Sequence, residues 1–231
     1  MKPACLPAAR VLNLALAAAV TGLLASGPAQ AARGLDVRDL QQLERVSSPV
    51  LSPDGSRVVY TRREMSGASS DGSDPGKAST SLWVRGLGAG DTAPKRLTPV
   101  GWNVNSPEIS ADGKTLYYRA MARPGFEADR FALMAMDLAS GKTREIASKW
   151  DASADGITLS ADGKWIYTTA QELGRHPLFR VSLANGEVES VVKDGSVSSF
   201  DLAGSTLAIS RNSEKSGDVI YTSSADGKAP L

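Results

Sequence analysis

Apolar residues in this chain gather in short β-branched and aromatic runs, each entered through a polar turn. Ser52-Pro-Asp-Gly55 leads into Arg57-Val-Val-Tyr-Thr-Arg62, Ser110-Ala-Asp-Gly113 into Thr115-Leu-Tyr-Tyr-Arg119, and Ser160-Ala-Asp-Gly163 into Trp165-Ile-Tyr-Thr-Thr169. A worn fourth copy, Asp201-Leu-Ala-Gly-Ser205, precedes Thr206-Leu-Ala-Ile-Ser210. Runs of this length and composition predict strands, not helices. In the turns, aspartate bonds back to the backbone and glycine supplies the positive φ that closes a hairpin.

The glycines Gly55, Gly113, Gly163 and Gly204 are spaced by 58, 50 and 41 residues, and each repeat predicts four strands. In the first these are 49–52, 57–62, 81–85 and 95–98; in the second, 107–110, 115–120, 131–138 and 143–147. The third gives 156–160, 165–169, 178–183 and 188–192, with Asn185-Gly186 as its last hairpin turn. The fourth gives 198–202, 206–210 and 218–222. The expected fold is all-β: a partial β-propeller over 47–231, built from four-stranded antiparallel blades at about 47–98, 106–147 and 156–192, with an incomplete one at 198–231. The missing outermost strand would begin past Leu231. The expectation is a fragment of a longer product; the other reading is a small ring that closes by assembling with further chains.

Ahead of the repeats, 32–46 is a lead-in whose Leu40, Leu43 and Val46 suit a short helix capped by Asp36 and Asp39. Residues 1–31 have a signal-peptide pattern: basic Lys2 and Arg10, an apolar stretch from Val11 to Leu24, then small residues ending in Ala29-x-Ala31. The apolar stretch falls short of the roughly 20 residues that span a bilayer. The chain is therefore expected to be exported, periplasmic or secreted, with cleavage after Ala31 and no stable membrane anchor. Cleavage would remove Cys5, the only cysteine, which leaves burial alone to stabilise the domain and excludes thiol chemistry. It would also remove two basic and no acidic residues, leaving 24 against 25 and a net charge of −1. That balance gives no basic surface for nucleic acid.

Candidate chemistry is sparse. No Gly-x-Ser-x-Gly elbow occurs, so an α/β-hydrolase nucleophile is absent from the chain. The one histidine, His176, precedes Pro177 and is expected to be a surface loop residue without a nucleophile to serve. The Gly/Ser/Asp-rich stretch 65–80 is expected to be a loop, and its Asp71 and Asp74 lack the spacing of a calcium site. No metal or cofactor is expected. Between the second and third strands of the second blade lies Arg123-Pro-Gly-Phe-Glu-Ala-Asp-Arg130. Either its Asp–Arg pair orders its own backbone, or Glu127, Asp129 and Arg130 beside Phe126 project from the rim and hold a ligand's ammonium or carboxylate.

Taken together, these segments resemble the N-terminal propeller of the prolyl oligopeptidase family of serine peptidases, and within it the exported dipeptidyl-peptidase V and acylaminoacyl-peptidase branch. The lead-in Leu43-Glu-Arg-Val-Ser-Ser-Pro49, the run Leu51-Ser-Pro-Asp-Gly-Ser-Arg-Val-Val-Tyr60 and the insertion Met121-Ala-Arg-Pro-Gly-Phe-Glu-Ala-Asp-Arg130 carry the resemblance. It implies a propeller of about seven or eight blades seated over a C-terminal α/β-hydrolase domain, restricting entry to short peptides. The Ser, Asp and His of such a peptidase belong to that domain, which is absent here, so no catalytic residue carries over and the chain alone should be inactive. In some relatives propeller glutamates bind the substrate's free amino group, for which Glu127 is the candidate. The alternative function is a non-catalytic TolB-like scaffold for protein contacts.

Overall fold

The computed structural model describes residues 34, 36, 39–40, 43–66, 76–88, 90, 93–121, 123, 126 and 128–228. The chain divides into two compact units, 1–40 and 41–231. The signal-peptide pattern, the loop core 67–75 and Glu127 lie outside the described residues.

In the first unit, Asp39 and Leu40 are helical. The Asp39 amide donates to the Asp36 carbonyl at 3.0 Å, and Asp39 Oδ2 accepts from the Asp36 amide at 2.7 Å. This reciprocal pair caps a first turn. The helical reading fails at Val46, which is already in a strand.

Among its described residues the second unit holds fifteen strands. They are β1 (Arg45–Leu51), β2 (Arg57–Ser66), β3 (Lys77–Gly86) and β4 (Lys95–Arg96), then β5 (Asn103–Ile109), β6 (Thr115–Met121), β7 (Phe131–Asp137) and β8 (Thr143–Glu145). The third set is β9 (Thr158–Leu159), β10 (Trp165–Thr169), β11 (Leu178–Ser182) and β12 (Val188–Val192). The last is β13 (Ser196–Ala203), β14 (Thr206–Ser213) and β15 (Ser216–Ser224). Within each set consecutive strands pair antiparallel. The first two sets are joined by one parallel bridge, Thr80 to Asn103. β3 runs several residues beyond its short partner β4, which leaves part of its edge open to the start of β5.

Three apolar clusters fill the seams between successive sets. Val59 and Leu82 meet Val104, Leu116 and Tyr118; Tyr117, Leu133 and Ile146 meet Ile166 and Val181; Tyr167 and Leu178 meet Val197, Leu207 and Ile209. A middle blade is buried on both faces, so β6 reads Leu-Tyr-Tyr as a continuous apolar run instead of alternating. Tyr118 packs toward the first blade and Tyr117 toward the third.

The repeated turn is built alike each time. Ser52 Oγ donates to Asp54 Oδ1 at 2.5 Å and accepts from the Arg57 amide at 3.0 Å. Ser110 makes the same pair of bonds with Asp112 and the Thr115 amide, and Ser160 with Asp162 and the Trp165 amide. Serine is needed because one hydroxyl must donate to the side chain and accept from the next strand.

Candidate functional site

The innermost strands β1, β5 and β13 each lose register near their start, between Ser47 and Val50, Asn105 and Glu108, and Val197 and Ser199. Ser48 and Ser106 stand at these irregularities with φ near +50°, a left-handed conformation in which serine is uncommon. The bulges re-aim the residues that follow. Val50, Glu108, Thr158 and Phe200 then fall at one level, each opposite the second-strand residue nine positions on: Val59, Tyr117, Tyr167 and Ile209. All four line a cleft of about 440 Å³.

Of the residues lining this cleft, Glu108 and Asp155 are the charged ones. Burial raises the Glu108 carboxyl above its ordinary titration range. Among the described residues that carboxylate has no hydrogen-bond or ion-pair partner. Asp155 is tied down: its amide donates to the Thr169 carbonyl at 3.0 Å, and Oδ2 accepts from Thr169 Oγ1 at 3.2 Å. The same Oδ2 lies 2.5 Å from His176 Nε2, and His176 Nδ1 lies 2.8 Å from the Val197 carbonyl oxygen. Behind Asp155, Arg119 donates to the Ala154 carbonyl and stacks over the Phe131 ring at 5.0 Å. Burial lowers the Arg119 titration, and the Asp155 charge opposes that shift. Chemically the cleft offers one unpartnered carboxyl, Glu108, and one aromatic ring, Phe200, in its lining, groups that can each meet a cation.

Arg130, singled out in the sequence, lies elsewhere. Arg130 Nη2 donates to Glu145 Oε1 at 2.5 Å, an ion pair within its own blade, and Arg130 does not line the cleft. The insertion orders itself: Asp129 accepts from the Arg123 amide at 2.7 Å and from its guanidinium, which stacks over Phe126 at 4.1 Å. That contact holds the Asp129 carboxyl below its ordinary range. His176 is not the surface residue expected: its side chain is 24% exposed and both ring nitrogens are engaged. Superposing the repeats brings out Glu108, a charge where the other copies carry Val50 and Thr158. His176 leaves no such trace. Among the described residues no three His, Cys, Asp or Glu side chains are grouped as a metal site needs, and no helix is long and apolar enough to cross a membrane.

A stretch of 109 residues is 37% identical to a probable dipeptidyl-peptidase 5 of Arthroderma benhamiae, covering 46% of this chain and 15% of that protein. The chain resembles the N-terminal propeller of prolyl oligopeptidase family peptidases. It matches well under two thirds of that relative's length. A puromycin-hydrolyzing peptidase of Mycobacterium tuberculosis superposes with a TM-score of 0.61 at 14% identity, over 78% of this chain and 28% of that one. TolB of Acinetobacter baumannii superposes at 0.55 and 19% identity, over 79% of this chain and 42% of that one. At these identities the two solved structures show the all-β propeller fold alone. No protein-family profile matches the chain.

Proposed function

We propose that the chain is the substrate-gating propeller portion of an exported serine exopeptidase acting on short peptides, whose nucleophile, base and acid lie on an α/β-hydrolase domain outside this chain. The match to dipeptidyl-peptidase 5 carries this reading. It fits the residues present: acyl transfer needs a serine activated by a histidine, and here the only histidine is committed to Asp155 and Val197. What the chain offers is a cleft of about 440 Å³ that holds the unpartnered Glu108 carboxyl, a volume suited to a short peptide segment and not to a folded protein. Glu108 is placed to meet a peptide's ammonium there. Glu127 and Arg130 stay in the reading as rim contacts for substrate, Arg130 by exchanging its bond to Glu145. The TolB likeness suits a scaffold equally well as a fold, and the dipeptidyl-peptidase match favours the peptidase.

The test compares this chain with the longer native polypeptide on dipeptidyl nitroanilides and on casein. The chain alone should be inactive, and the longer polypeptide should release nitroaniline while sparing casein. Inactivity of the longer polypeptide on every free-amine peptide, or equal digestion of casein, overturns the reading.

A further inference from the structure

His176 joins three parts of the third and fourth blades. Its amide donates to the Gly195 carbonyl at 3.4 Å and its carbonyl accepts from the Val197 amide at 2.9 Å, so the backbone already bridges to β13. Its ring then reaches Val197 O on one side and Asp155 Oδ2 on the other. A backbone carbonyl only accepts, so Nδ1 must carry a proton to bond it. An ionised carboxylate also only accepts, so Nε2 must carry one too. A neutral imidazole has a single N–H, and its bare nitrogen would face one of these oxygens lone pair to lone pair.

We propose that His176 is a proton-operated latch between the third and fourth blades at the edge of the cleft. As imidazolium it holds Asp155 and Val197 at once; when a proton leaves, one of the two bonds is lost. Asp155 and Thr169, bonded to each other, both line the cleft, so release frees part of its wall. The charged groups around the ring are few. Glu172 and Arg175 belong to the same turn, and Arg175 lies 3.5 Å from Asp194 after β12. Arg211 on β14 donates to the Asp194 carbonyl at 3.3 Å, and Arg119 on β6 acts on Asp155 from the preceding blade.

The sign follows from where the partners are. The two acceptors flank the ring only in the folded chain, so the two-bond arrangement belongs to the folded state with a doubly protonated ring. The latch is therefore made on the acid side, stabilises the seam there, and loses one bond when the proton leaves as pH rises. Histidine is the one side chain that ordinarily titrates between pH 5 and 8, and this chain has one. Glu108, raised by burial, acts with the same sign, so a variant must separate the two.

The experiment combines nitrogen NMR of the ring with melting of the full chain. Because His176 is the sole histidine, its ring signals need no assignment. At pH 5.5 both ring nitrogens should be protonated, with slowly exchanging N–H protons. The melting temperature should fall by about 2–4 °C between pH 5.5 and 8. The fall should persist in Glu108→Gln, and adding His176→Gln to that variant should abolish it. Adding Asp155→Asn to Glu108→Gln should abolish it too, since the new amide can donate to a neutral Nε2. A singly protonated ring at pH 5.5, or a pH dependence of Glu108→Gln that survives when His176→Gln is added, overturns the latch. Should His176→Gln fail to fold, the NMR of the native chain decides alone.

Discussion

At the residue scale, two glycines do more than turn the chain. Gly186 has φ +73°, and a Cβ there would stand 2.0 Å from the Ile146 carbonyl oxygen of the preceding blade. Gly227, at φ +72°, would meet the Val191 carbonyl at 2.3 Å. Each hairpin turn thus lies flat on the outer strand before it, with no room for a side chain. Gly163 has a similar φ of +67° with nothing within 4 Å of its Cβ direction. Gly163→Ala should therefore cost only the left-handed strain, about 1–2 kcal/mol. Gly186→Ala should add about 1–3 kcal/mol of overpacking against backbone that cannot rotate away. Urea midpoints of the two variants check this, and equal losses would contradict the contact. Asn185-Gly186 announces its turn in the sequence, but the close approach is a property of the seam and has no local signature. The sequence reading passed over Glu108, although its charge stands out when the repeats are aligned, whereas the role of His176 depends on a contact across 21 residues that no spacing encodes.

At the element scale, the serine–aspartate turn was readable because its chemistry is local. Ser52 bonds hold the Asp54 carboxyl down to about 2 from 3.8, and Asp112, Asp162 and Asp226 are lowered likewise by Ser110, Ser160 and Ser224. A lowered carboxyl stabilises the fold above its unfolded value and loses that contribution as pH falls through the folded one. Acid melting should therefore steepen between about pH 3.8 and pH 2, and Ser52→Ala should flatten part of that drop. Unchanged acid slopes in melts from pH 5 to pH 2 would contradict the assignment. Strands packed between two blades were also well drawn: β10 and β12 match the expected 165–169 and 188–192. β2 and β3 run on to Ser66 and back to Lys77, past where the apolar run stops, because their backbones pair across polar residues too. β9 shrinks to two residues after Gly156, where the inner strand is bonded through Thr168 and Thr169 side chains and backbone instead of a full ladder.

At the scale of the whole molecule, apolar packing between blades and one level of side chains on the innermost strands account for fold and cleft together. Leu-Tyr-Tyr and Trp-Ile-Tyr runs encode burial on both faces, so the propeller was legible from the repeat alone. The cleft was less so, since its lining comes from bulged strand starts whose direction is set by Ser48 and Ser106. The functional reading rests on relatives that extend far beyond the matched stretch. The measurement that tests it most directly is the sequence of the native transcript through codon 231 and onward. The account predicts an open frame running into a Gly-x-Ser-x-Gly elbow followed by its aspartate and histidine. A stop after Leu231, with a folded product of that length in the cell, would contradict it.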